Sequence, residues 1–185
     1  ALRHGIGEAP DFAAARAAFD RAATQGHAQA LYQLGLLAPQ NDARQWFQKA
    51  ANYGHAPAQL RIAAYLGHGT AAYFDWLGRA AAQGLPEAQA QLGSELYYDD
   101  ARREDGRRWL TLAAEQGHAG AAFTLSQGGQ RGVSIGREAL AEVALGWTRR
   151  ASEWGHPQAQ LRLARHLLDV EGDTAEAMGW LELAA

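Results

Sequence analysis

Ala43-Arg44-Gln45-Trp46-Phe47-Gln48-Lys49-Ala50-Ala51-Asn52-Tyr53-Gly54-His55-Ala56-Pro57-Ala58-Gln59-Leu60 decides the fold, because its key residues return along the chain. The Gly recurs at Gly26, Gly54, Gly84, Gly117 and Gly155. His follows it at His27, His55, His118 and His156, and Leu85 takes that slot once. Eight residues upstream stands Trp46, Trp76, Trp109 or Trp147, with Ala18 in the first copy. Trp180 would head a sixth copy. Internal repetition of this kind, even at spacings that lengthen toward the C-terminus, makes the chain an array of one repeated unit before any local propensity is consulted.

With the Gly as origin, small or apolar residues precede it at −11, −8, −4 and −3, as in Ala43, Trp46, Ala50 and Ala51 or Gly106, Trp109, Ala113 and Ala114. Neighbours three and four residues apart form the stripe of an amphipathic helix, helix A. The Gly ends that helix, since a left-handed cap costs Gly nothing sterically. Pro57, Pro86 and Pro157 follow at once, and Pro suits the first turn of a new helix. That second helix, helix B, carries an expected apolar stripe: Ala30, Tyr32 and Leu34; Ala58, Leu60 and Ile62; Ala88 and Leu92; Ala121, Phe123 and Leu125; Ala159, Leu161 and Leu163.

Turn-rich loops of unequal length separate the copies: Ala38 to Asp42, Gly67 to Thr70, Asp99 to Asp105 and Gln127 to Arg137. The copies fall at about 11–38, 39–67, 70–99, 102–128 and 138–170, with a partial copy at 173–185 and one domain over 1–185. Leu2 to Gly7 reads as the tail of an earlier copy and Trp180 to Ala185 as the first half of a later one. The expectation is a fragment of a longer protein.

Composition narrows the chemistry. The 185 residues are 48% hydrophobic, and the net charge of −3 gives no general attraction to nucleic acid or an anionic membrane. No cysteine is present, so disulfides, thiol catalysis and cysteine-ligated zinc are excluded. No run approaches the roughly 18 apolar residues of a membrane span.

The residues that invite a chemical reading have plainer ones. The histidines after the Gly recur once per copy, too far apart to share one metal ion, and are expected to serve the turn by packing or by bonding carbonyls at the end of helix A. Gly128 to Gly136 lacks the Gly-Lys-Ser/Thr ending and preceding strand of a phosphate loop, which leaves a linker. Asp99, Asp100, Glu104 and Asp105 are interrupted by Arg102 and Arg103 and miss calcium-loop spacing, which leaves a solvated loop. Tyr97 and Tyr98 are expected to cap the helix before it. No nucleophile elbow or Ser-His-Asp arrangement is present. The Trp residues at −8 are expected in the core, where Trp46→Ala or Trp109→Ala would cost about 3–5 kcal/mol.

Residues of helix A outside the stripe remain. Position −5 holds Arg21, Lys49, Arg79 and Arg150, with Leu112 in the fourth copy; position −1 holds Gln25, Tyr53, Gln83, Gln116 and Trp154. These positions share one face at i, i+4 spacing. Exposed aromatics and Arg favour interfaces. A base near a helix C-terminus also complements the dipole without any ligand, and Trp154 also suits packing between copies. Arg108, Arg149 and Gln45 lie on the same helices.

The pattern resembles the Sel1-like repeat, a relative of the tetratricopeptide repeat. The resemblance rests on Ala43, Trp46, Phe47, Lys49, Ala50, Ala51, Gly54, Ala58 and Gln59, and on Trp76, Leu77, Arg79, Ala80, Ala81, Gly84, Ala88, Gln89, Leu92 and Gly93. Ala18 and Ser152 depart from it, and the first copies are shorter than the ~34 residues of a tetratricopeptide repeat. It implies an all-α, right-handed α-solenoid of about five helix-turn-helix repeats with partial repeats at both ends, helix A lining the concave face. It also implies a bacterial, non-catalytic adaptor of the envelope, of signalling or of host contact, the periplasm or envelope ahead of the cytoplasm. The expected partner is another protein or peptide, held by Arg21, Gln25, Lys49, Tyr53, Arg79, Gln83, Arg108, Arg149, Arg150 and Trp154. No cofactor, metal, nucleic acid or membrane insertion is expected. An immunity protein against a secreted toxin and a structural spacer are the other roles it allows.

Overall fold

The structure is a computed structural model and describes residues 12–128 and 137–185. Two segments read from sequence, Leu2 to Gly7 and the linker after Gly128 as far as Gly136, lie outside the described residues. The described chain is all helical: α1 (Phe12–Thr24), α2 (Ala28–Leu37), α3 (Gln40–Asn52), α4 (Ala56–Leu66), α5 (Ala71–Ala82) and α6 (Pro86–Tyr97) come first. Then follow α7 (Arg103–Glu115), α8 (Ala119–Gly128), α9 (Arg137–Glu153), α10 (Pro157–His166), a π-helical turn (Leu167–Glu171) and α11 (Thr174–Ala184). Odd-numbered helices are the A helices of the repeat, and α2, α4, α6, α8 and α10 the B helices. This is the repeat architecture of an α-solenoid.

Every A-to-B turn is built the same way. Gly26, Gly54, Gly84, Gly117 and Gly155 all have φ between 78° and 87°. At the α3–α4 turn the Gly54 N–H donates to Ala51 O at 3.0 Å, and the next residue's N–H reaches back to Ala50 O at 3.0 Å. These are the two bonds of a Schellman cap, which satisfy carbonyls the helix end would orphan.

His55 then starts α4. Its Nδ1 accepts the Ala58 N–H at 3.2 Å, as His118 does for Ala121 at 3.1 Å and His156 for Ala159 at 3.3 Å. These three histidines therefore serve the turn by bonding an amide of the next helix, whereas His27 makes no such bond. The expected carbonyls at the end of helix A are already taken by the backbone.

The chain divides into two compact units, Ala1–Ala80 and Ala81–Ala185. In the first, Leu31, Ala43, Phe47, Ala50, Ala51, Ala58 and Ile62 form the core, and Trp46 and Trp76 pack on its edge. In the second, residues of α6 to α10 bury one core around Leu110, Ala113, Ala114, Ala121 and Ala151. A smaller core joins Leu163, Ala164 and Leu167 to Ala177.

Two packing details differ from the sequence expectation. The buried bulky position of helix A is −7: Phe47, Leu77, Leu110 and Thr148 are at most 4% exposed, whereas the −8 tryptophans are half-buried. The Ala pair closes the seam so tightly that an indole fits only at its rim. In helix B the buried stripe runs through +4, +5, +8 and +9, as in Ala58, Gln59, Ile62 and Ala63. Position +6 turns about 200° away from +4 on a 3.6-residue helix, and Leu161 there is exposed.

Small residues at +9 let successive hairpins close up. A Cβ on Gly35 would stand 2.5 Å from the Phe47 ring. On Gly93 it would stand 2.8 Å from the Leu110 amide nitrogen and 3.0 Å from Gly106 O, so α6 and α7 meet backbone to backbone.

Candidate partner-binding surface

In the first unit the −5 and −1 residues of α1, α3 and α5 project from the ends of the A helices. Arg21, Gln25, Lys49, Tyr53 and Arg79 are all exposed, Tyr53 by 64%. The bases sit on the tryptophans one turn earlier. Lys49 Nζ stands 4.8 Å from the centre of the Trp46 ring, and the Arg79 guanidinium 4.8 Å from that of Trp76. An indole face holding a cation is a cation–π pair. It explains why the −8 residue is a half-buried Trp rather than a core aliphatic. Arg79 also pairs with Asp75 at 2.9 Å. Tyr53 lays its ring edge against the preceding turn, where a Cβ on Gly26 would meet it at 3.1 Å. This residue therefore packs between repeats on one edge and meets solvent on the other.

In the second unit Arg150 lies 5.0 Å over the Trp147 ring, and Trp154, one turn on, is 38% exposed. Leu112, at −5 of α7, is an apolar side chain 44% exposed. Gln83 is exposed at the end of α5. The remaining sequence candidates have partners within the fold. Arg149 bonds Glu171 at 3.0 Å and pairs with Glu176 at 3.7 Å, joining α9 to the segment after α10. Arg108 pairs with Asp105 at 3.7 Å along α7. Gln45 in the first unit donates to Asp42 at 3.3 Å.

Sequence reasoning passed over the +5 glutamines. Gln89 is 5% exposed and donates Nε2 to Ala81 O at 3.2 Å, sealing helix B onto the end of helix A; Gln59 and Gln160 do the same with Ala51 O and Ser152 O. The Gln89 Oε1 accepts from Gln116 Nε2, the −1 residue of the next copy, at 2.7 Å. The chain itself carried a signal for this. Where +5 is Gln59 or Gln89, the next −1 residue is Gln83 or Gln116; where it is Leu31 or Ala122, the next is Tyr53 or Trp154. The two aromatics thus follow an apolar neighbour in the preceding repeat.

Burial holds the His55 and His156 imidazoles below the ordinary value of 6.5. Both stack on a ring of the preceding B helix, Tyr32 at 4.6 Å and Phe123 at 4.3 Å. His55 Nε2 lies 2.7 Å from Gln29 Oε1, which fixes the tautomer that leaves Nδ1 free to accept. Among the described residues no three His, Asp or Glu side chains come together as metal ligands, and no helix is long and apolar enough to cross a membrane.

No family model and no curated protein matches the chain. Solved structures do. A Sel1 repeat protein from Oxalobacter formigenes aligns with a TM-score of 0.71 and 25% identity, over 92% of this chain and 75% of that one. A protective antigen present in uropathogenic Escherichia coli strains, displaying an SLR fold, gives 0.77 and 27%, over 97% of this chain and 42% of the antigen. The immunity protein PA5088 from Pseudomonas aeruginosa gives 0.63 and 20%, over 98% and 77%.

Proposed function

We propose that this chain, a Sel1-like repeat protein, is a non-catalytic scaffold that holds a partner protein against the exposed ends of its A helices. One observation carries the reading. In each unit a base lies flat on a half-buried Trp with an exposed aromatic one turn away: Lys49, Trp46 and Tyr53 in the first, Arg150, Trp147 and Trp154 in the second. The aromatic rings bring contact area at low entropic cost and, with Arg, are the usual anchors of an interface. The polar groups of the turns, by contrast, are spent on capping and clasping. A repeat fold states only how its units stack, so specificity rests on these exposed residues.

The test is partner capture with the full chain and with Tyr53→Ala plus Trp154→Ala. Loss of captured protein with helical content and melting near wild type supports the surface. Unchanged capture by the double variant, with Lys49→Glu equally silent, leaves a spacer role and overturns the proposal.

The immunity reading is a special case, favoured by the likeness to PA5088. It requires that the chain bind and silence a toxin encoded beside it. Co-expression that fails to rescue growth from every neighbouring toxin gene removes it.

A further inference from the structure

The charge of this chain is divided unevenly. Residues 1–80 carry 7 Lys and Arg against 5 Asp and Glu, and residues 81–185 carry 10 against 15. A chain of net −3 is therefore a +2 unit joined to a −5 unit. Within the described part of the first unit, three bases occupy the −5 row: Arg21, Lys49 and Arg79. Arg79 is engaged by Asp75. Arg21 and Lys49 form no ion pair among the described residues, and the underside of Lys49 is closed by Trp46.

Resting on the reading above that these helix ends bind a partner, we propose that the face formed by α1, α3 and α5 of the first unit takes an extended acidic protein segment. Its carboxylates pair with Lys49 and Arg21, and aliphatic or proline side chains between them lie on the exposed ring of Tyr53. An ammonium held on an indole keeps its N–H groups turned away from the ring and ready for a charge-assisted bond to a carboxylate. Packed helices stand about 8–10 Å apart, and a chain in the polyproline II form advances about 3.1 Å per residue with about three residues per turn, so acidic residues at every third position share one face and recur at a matching interval. The Tyr53 ring adds apolar contact that a charge-only site lacks. The −5 charge of the other unit disfavours a long polyanion at range, which leaves a short segment as the fitting occupant.

The test is fluorescence anisotropy of the full chain with a labelled peptide carrying Glu at every third position among Leu and Pro. Its Gln counterpart, a single-stranded oligonucleotide and anionic vesicles serve as separate probes. The acidic peptide is expected to bind, to weaken about tenfold on Lys49→Glu and to weaken with salt. Equal binding of the Gln peptide overturns the proposal, as does indifference to Lys49→Glu in a variant of unchanged helicity. Tighter binding of the oligonucleotide or vesicles assigns the bases to another polyanion and also overturns it. Sedimentation showing self-association abolished by Lys49→Glu overturns it in favour of the acidic unit of a second copy. If the acidic peptide fails while Tyr53→Ala plus Trp154→Ala still loses captured protein, only the acidic assignment falls; if capture too is unaffected, the surface itself falls.

Discussion

The α3–α4 and α5–α6 turns share a backbone and differ in one side chain. Gly54 and Gly84 sit at φ 85° and 87°, and the residues after them, His55 and Leu85, at φ −71°, ψ 109° and φ −67°, ψ 113°. His55 caps the following helix through Nδ1, and Leu85 makes no such bond. The near-identity of the dihedrals teaches that Gly alone shapes the turn. The imidazole adds a hydrogen bond to a geometry already made.

The largest expected effect is common to both turns. Gly54→Ala and Gly84→Ala should each cost about 1–2 kcal/mol, the left-handed penalty of an L-residue. No neighbouring atom crowds the added Cβ at either site, so nothing but the backbone is tested. Urea unfolding of the two variants should give matching losses, and a clear inequality would break the comparison. Next comes His55→Leu, which makes one turn a copy of the other. It should lose about 1 kcal/mol, the ordinary worth of a side-chain N-cap. The reverse change, Leu85→His, should gain about 0.5 kcal/mol if the ring adopts the same rotamer; no gain in melting temperature would show that the cap depends on the stacked Tyr32.

The smallest effect is that of pH. The folded imidazoles of His55 and His156 titrate below 6.5, so the unfolded chain takes up protons first as pH falls. Stability is complete above pH 6.5 and declines as pH drops through that value toward the lowered folded values. Protonation at Nδ1 also removes the acceptor that Ala58 and Ala159 use. Thermal melts between pH 7.5 and 5 should show the decline, and His55→Leu should flatten it.

The same two turns measure how far the sequence was legible. Gly, Pro and the Trp spacing give the helical hairpins, because each has few conformational alternatives. Gln59, Gln89 and Gln160 were not legible as core residues: nothing local distinguishes a glutamine that faces a carbonyl from one that faces water. Their burial follows from the 100° step of the helix, which places +5 beside +9 on the inner face. Of the surface candidates, Lys49, Arg79 and Arg150 stand on tryptophans, and Arg79 is also paired with Asp75. Arg149 is claimed by Glu171 and Glu176, partners beyond the repeat that no within-repeat pattern could reveal. Tyr53 stood out by breaking the −1 pattern, but its lean on Gly26 is a contact with the previous hairpin that its own repeat does not reveal.

The meeting of α6 and α7 has a mechanical consequence. At Gly93 and Gly106 the two backbones approach so closely that any added side chain would have to push the helices apart. Close backbone contact over this joint leaves little room for local opening. Hydrogen exchange should find its slowest amides there, around Leu110 and Ala113, and a pulling experiment should see this pair of helices part last within the second unit.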